Sequence, residues 1–438
     1  MIKIPKIYPE QSRRNKIIIF LGIILAVLLL PEISQALPPP GIFWRTNQNS
    51  DVAKYGGAWF LSGGRGEHFA WCEVEPSPGI YDFSAIKDYI NKWKAHGKKA
   101  AIAISPASSA EGKSCPFEDG NPETDIIVSS PQWLFKPPYN AKFIDAPQKD
   151  EPDPLKRHYW PVYWDEVFVK RYNMMLQALV NYLDVENLLN DVVWIEPLHG
   201  RECATGVGRG GFYSDYIIAF QNDSKVAKDY DGDSDIDRDD FERFWTDFLK
   251  QSIDYTTAII NPKGLQGMLV IVDYDLPRIE PHHDLKPLLE EVTSHAIAKG
   301  MILGGKVVGV KASLMIKKPA THIIAAHPEI ASALWNDFTS VSSPEEYEKF
   351  RTNYENAIGG VRDIPITHIN YVYLASAKEV QFAVATWPND CPSLPEPTNP
   401  QKLCYPEFEE TIKWLLSKLE PVPEDTTPPA APTGLTVQ

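Results

Sequence analysis

The strongest constraint on the fold is a set of short apolar runs that do not alternate with polar residues. They are GAWFL (57–61), AAIAI (100–104), DVVWIEP (191–197), MLVIVDY (268–274), KVVGVKASL (306–314), ASALWNDF (331–338) and HINYVYL (368–374). A strand wetted on one face alternates; a strand covered on both faces does not, and the usual cover is helices over a parallel sheet. Helical stripes fall between the runs. Ile86, Tyr89, Ile90 and Trp93 share a face of a helix expected over Ser84–His96, stopped by Gly97. Phe168, Tyr172, Met175, Leu176 and Leu179 do the same over Trp164–Leu183, and Leu288, Leu289, Val292 and Ala296 over Leu285–Ala298. Ser343 is placed to cap a fourth helix, Pro344–Ile358, before Gly359-Gly360. Alternating strand and helix mean an α/β fold. Seven runs, with an eighth strand expected inside 106–163, predict a (β/α)8 TIM barrel; an open doubly wound sheet is the alternative. No glycine-rich phosphate loop follows the first run, which argues against a nucleotide-binding sheet.

The net charge of −15 over 438 residues repels phosphate backbones, so nucleic acid is excluded as an expected partner and neutral sugars are not. Lys3, Lys6, Arg13, Arg14 and Lys16 precede the uncharged run Ile17–Leu30, and small residues follow at Ser34–Ala36. That order predicts an export signal over 1–36, cleaved to give a secreted protein or, if uncleaved, a membrane tether. Export permits disulfides. Of Cys72, Cys115, Cys203, Cys391 and Cys404, the last two bracket a proline-rich loop and are the expected pair, and the odd count leaves a thiol over.

From Trp71 to Ser105 the chain reads Trp71, Glu75-Pro76, Gly79-Ile80-Tyr81-Asp82-Phe83, a helix, then Gly97-Lys98-Lys99 and an apolar strand. This resembles the first strand, helix and second strand of retaining (β/α)8 glycoside hydrolases, of which the family 42 β-galactosidase type looks nearest. The resemblance implies a barrel over about 37–420, an acid/base Glu at the end of strand four and a nucleophile at the end of strand seven. VVWIEPLHGREC (192–203) then falls at strand four, with two carboxylates. Glu196 lies within the apolar run; Glu202 lies beyond it on the rim, where barrel chemistry gathers, and is the favoured acid/base. His199 and Arg201 are expected to bind sugar hydroxyls or tune the carboxyl. The run ASALWNDF offers Asp337 as nucleophile. Two departures stand out: Arg201, not Asn, precedes Glu202, and no Glu ends the seventh run. Trp160, Trp164, Trp335 and Trp387 are candidate platforms for the apolar faces of sugar rings.

DYDGDSDIDRDD (229–240) spaces oxygen donors as an EF-hand or dockerin loop does, with Asp229, Asp231, Asp233, Asp235 (through its carbonyl), Asp237 and Asp240 as Ca2+ ligands. Ser234 stands at the sixth place, where such loops carry Gly. A single loop implies a structural clamp inserted in the barrel rather than a docking module. Residues 421–438 read as a Pro/Thr linker and the opening of a fibronectin type III domain, which would allow cell-surface or glycan attachment. Two functions are expected in order: an exported two-carboxylate glycoside hydrolase, or a non-catalytic glycan-binding scaffold with a structural calcium site.

Overall fold

The computed structural model describes residues 41–46, 61–66, 69–95, 97–107, 114–148, 153–207, 213–272, 285–308, 319–327, 330–336 and 371–374. The signal stretch 1–36, the helix expected at 344–358, Asp337, Trp387, Cys391, Cys404 and the tail 421–438 lie outside these residues. The strands in chain order are β1 (Gly41–Thr46), β2 (Leu61–Gly66), β3 (Phe69–Ala70), β4 (Lys99–Ser105), β5 (Cys115–Pro116), β6 (Asp125–Val128), β7 (Phe143–Pro147), β8 (Lys156–Pro161), β9 (Val192–Glu196), β10 (Met268–Ile271), β11 (Ile302–Val308), β12 (Ser332–Asn336) and β13 (Tyr371–Leu374). The helices are α1 (Trp71–Val74), α2 (Ser84–Lys94), α3 (Glu166–Val185), α4 (Tyr213–Gln221), α5 (Arg238–Ile260), α6 (Lys286–Ala298) and α7 (Pro319–Ala326).

The main sheet is parallel, and its pairings run in a cycle. β1 pairs β2, β2 pairs β4 and β4 pairs β9; β10 pairs β11, β11 pairs β12, β12 pairs β13, and β13 returns to β1. The remaining seam, β9 to β10, is joined by a parallel bridge between Ile195 and Gly267, where the Ile195 amide donates to Gln266 O at 2.8 Å. An open doubly wound sheet would leave these two strands as unpaired edges; here they are linked by isolated bridges.

Strand parity separates two cores. Ala100, Ile102 and Ile104 of β4, Leu269 and Ile271 of β10 and Leu303 of β11 belong to the large core, with α2, α3, α5 and α6. Ala101, Trp194, Met268, Val270 and Ile302 form a second cluster with Phe43 inside the ring. The non-alternating runs of β4, β9 and β10 follow directly: both faces of these strands are covered.

Three expectations are corrected. The described residues of the stretch 106–163 supply no ring strand. They fold as their own four-stranded sheet, in the order β5-β6-β8-β7, and the missing ring strand is β1. The first apolar run, 57–61, ends where β2 begins, so the strand is the glycine-rich LSGGRG. The segment Trp71–Ser105 therefore leads into the third ring strand, β4, not the second. One strand overlooked and one wrongly supposed cancel, so β9 stands fourth and β12 seventh along the pairing order from β1.

The inserted sheet is fastened to the ring at several points. Cys72 and Cys115 form a disulfide across 43 residues of sequence. The pair expected from the spacing, Cys391 with Cys404, lies outside the described residues. Glu75, fully buried, receives Trp71 Nε1 at 2.8 Å, the Gly79 amide at 2.9 Å and the Arg171 guanidinium. Arg171 in turn covers the rings of Trp133 and Tyr139 in the insert, and Trp133 Nε1 donates to Glu75 O. The Trp-x3-Glu-Pro-x2-Gly pattern is thus a structural knot.

Candidate active site

The fourth ring position is assembled from two pieces of chain. β9 ends at Glu196, opposite Ala103 of β4. Two residues earlier, Trp194 points into the ring, so parity places Glu196 on the inner side at its C-terminal mouth. Pro197–Gly200 then leave the line of the strand, and Arg201–Thr205 re-enter it. On one side, the Glu202 amide donates to Ala107 O at 3.0 Å and Cys203 Sγ to Ile104 O at 3.0 Å, both just past or at the end of β4. On the other, Ala204 bridges Val270, the Thr205 amide donates to Val270 O at 3.0 Å, and Thr205 Oγ1 bonds Val272 O at 2.6 Å. The second piece, a 3-10 turn at Arg201–Cys203 followed by the bridged Ala204, stands in for the end of the fourth strand and sets Glu202 beside the C-terminal ends of β4 and β10.

The turn is tight. Arg201 N donates to Gly206 O at 2.9 Å, and Cys203 N to Gly200 O at 3.1 Å. Glu202 and Cys203 hold left-handed φ values of 52° and 58°. A Cβ at Gly200 would stand 2.2 Å from Ala204 O, so only glycine fits the return.

Glu196 is fully buried, whereas the Glu202 side chain is 27% exposed. Arg201, nearly buried, places Nη2 3.2 Å from Glu202 Oε1. His158 of β8 lies close enough for the Arg201 charge, after burial, to help push its pKa down to about 3. His158 stacks on Trp160 with ring centroids 4.3 Å apart. The inner face of the insert thus backs the Arg201–Glu202 pair. His158 does not stand out in the sequence; the wall does, through the density of Trp and Tyr in PQWLFKPPY (131–139) and HYWPVYW (158–164).

Other expected contacts move. His199 is fully buried, with Nδ1 2.6 Å from Ser252 Oγ, and burial holds its pKa near about 3. It faces the core, so it is no sugar ligand here. Trp164 packs among Tyr216, Phe241 and Phe244, and Trp160 is 1% exposed; neither ring offers an open face for stacking. Trp335 lies in β12, paired with Lys306 and Tyr373, and β12 ends one residue before Asp337.

In the acidic loop, Asp229, Asp231 and Asp233 each bring a carboxylate oxygen within 4.8 Å of the others. Asp229 accepts the Gly232 and Ser234 amides, and its pKa is lowered by those bonds. Asp231 receives the Asp233 amide, but partial desolvation and the charges of Asp233, Asp240 and Asp229 leave its pKa raised. Ser234 takes φ 77°, the left-handed conformation that the usual Gly supplies. Asp240, buried, accepts the Asp237 amide at 3.1 Å in a capping box that starts α5.

No family model matches the chain, and no curated protein does. Among solved structures it is similar to the catalytic domain of a β-amylase from Paenibacillus polymyxa, at 11% identity and TM-score 0.51, over 88% of this chain and 100% of that one. A cold-adapted β-galactosidase from Rahnella sp. R3 aligns at 14% identity and TM-score 0.42, over 78% of this chain and 51% of that one, about half its length. Both neighbours are glycoside hydrolases with TIM-barrel catalytic domains. At 11% identity, the likeness to the β-amylase domain establishes a shared mixed helix-and-strand fold and leaves the chemistry to the site.

Proposed function

We propose that this protein is an exported glycoside hydrolase built on a complete (β/α)8 barrel, with Glu202 as general acid/base. The observation that carries the reading is the re-entry of Arg201–Thr205 into the line of the fourth strand, which sets a partly exposed carboxylate at the C-terminal mouth. The second carboxylate is Asp337, next in sequence after the seventh ring strand, or Glu196 inside the mouth. One protonates the glycosidic oxygen; the other attacks the anomeric carbon or activates water, and a separation of about 5–5.5 Å would make the enzyme retaining. The disulfide Cys72–Cys115 supports an oxidising destination, in line with the basic-then-apolar N-terminus. Among the described residues no helix is long and apolar enough to cross a membrane.

The test is a screen of the mature protein against 4-nitrophenyl glycosides and soluble oligosaccharides, with Glu202→Gln, Asp337→Asn and Glu196→Gln beside it. Turnover lost in Glu202→Gln with unchanged folding is the expected result. Turnover that survives that change removes Glu202. A glycan-binding barrel without hydrolysis is the second reading, favoured by Arg201 standing where the resembled family carries Asn. Binding without turnover in the parent would select it.

We also propose that the 229–240 loop binds Ca2+. Hard oxygen donors, mutual repulsion at Asp231 and the left-handed Ser234 support it. Millimolar Ca2+ that fails to raise the thermal midpoint, against a Mg2+ control, would remove the ion from the account.

A further inference from the structure

We propose that Ser252 and Trp245, two turns apart on α5, clamp both ends of the Glu202 turn and so set where that carboxylate stands; this rests on the reading of Glu202 as the proton donor. At the entry, the Ser252 hydroxyl accepts the His199 amide at 3.2 Å and lies 2.6 Å from His199 Nδ1. One hydroxyl oxygen serves both the main-chain amide and the ring nitrogen of His199. At the exit, Trp245 Nε1 donates to Thr205 O at 2.9 Å. Glu202 lies midway between residues 199 and 205.

The clamp is stiff. Positions seven apart on a helix share a face and stand about 10.5 Å apart. The α5 helix spans 23 residues, and Ser252, Trp245 and His199 are all fully buried. His199 is ringed by Tyr172 at 4.9 Å, Phe248 at 6.1 Å and Phe168 at 6.3 Å. The imidazole touches no solvent, so it positions and does not react. Burial keeps it neutral through the range in which an acid/base carboxyl works, so the anchor does not loosen as the site titrates.

The experiment compares Ser252→Ala with Thr256→Val. Thr256 is buried one turn further along α5 and bonds Ser252 O at 2.8 Å, so its loss also weakens the helix but leaves His199 held. Two readouts are taken on the full chain: amide hydrogen exchange of 200–205, and kcat and KM on the best 4-nitrophenyl glycoside of the screen. In Ser252→Ala, exchange in the turn rises roughly fivefold or more for one lost anchor. The kcat falls about a hundredfold for a displacement near 1 Å, while KM stays within about twofold. Thr256→Val changes neither. Ser252→Cys, with a weaker donor of similar size, gives a smaller effect in the same direction and stands in if Ser252→Ala does not fold. Equal exchange in the two variants overturns the clamp. A loosened turn, with activity surviving in Glu202→Gln, keeps the clamp and removes Glu202 as donor.

Discussion

A methyl group added at Gly200 tests the geometry of the Glu202 turn with the smallest available change. The added carbon would lie 2.2 Å from Ala204 O and 2.9 Å from Gly206 O. A carbon–oxygen contact is comfortable at about 3.3 Å, so the return must open by roughly 1 Å. The obstacle is backbone on both sides, and that backbone is tied to β4 and β10. Overpacking of this kind costs about 1–3 kcal/mol, and a shift near 1 Å at a reacting group costs about a hundredfold in rate. Gly200→Ala should therefore lose a few degrees in a thermal scan and nearly all of its glycosidase turnover. Gly120→Ala is the control. Its φ of 84° makes alanine strained too, yet nothing lies within 4 Å. It should lose stability and keep activity. Gly200→Ala with the parent's midpoint and kcat would refute the description of the turn.

Three further outcomes are expected. Arg171→Met leaves fully buried Glu75 without its cation and should cost about 3–5 kcal/mol in urea unfolding; adding Glu75→Gln removes the stranded charge and should restore most of it. Arg201→Gln removes the guanidinium 3.2 Å from Glu202, and loss of that cation favours the protonated carboxyl, so the basic limb of kcat/KM against pH should move up. A limb that stays put would separate Glu202 from that titration. Finally, His158 and His199 are neutral in the fold, with pKa values lowered to about 3, and protonate near 6.5 once unfolded. Their contribution is whole above pH 6.5 and lost as pH falls toward 3, at about 2 kcal/mol for each by pH 5. His158→Gln and His199→Gln should each flatten the acid limb of stability measured by urea midpoints.

The buried strands are legible because their side chains alone identify them. AAIAI and VVWIE are apolar on both faces, a pattern that a half-wetted strand or a surface helix would not produce. β2 is hidden because LSGGRG has almost no apolar side chains; its identity comes from its neighbours. β1, GIFWRT, follows three prolines and contains Arg45, which reads as a loop. The insert reads as a rim loop with one hidden strand because its prolines and charges mask the inward alternation of β7 and β8. At the site, the count of strands reaches the Glu202 segment only because two miscounts cancel, and the turn that residues 201–205 make between β4 and β10 is beyond sequence. Two left-handed residues with side chains break every local strand rule, and only the pairing partners on β4 and β10 show why they are tolerated.

That turn has a consequence for how the molecule comes together. The seam between β9 and β10 rests on Ile195 with Gly267 and on Ala204 with Val270, and the second contact lies beyond the Glu202 turn. A chain in which the turn has not formed lacks half of what joins the two flanks of the ring. On the proposed reading, closure of the ring and assembly of the Glu202 corner are then one event. The turn would act as a keystone and not as a lid: losing that corner would begin to open the seam between β9 and β10.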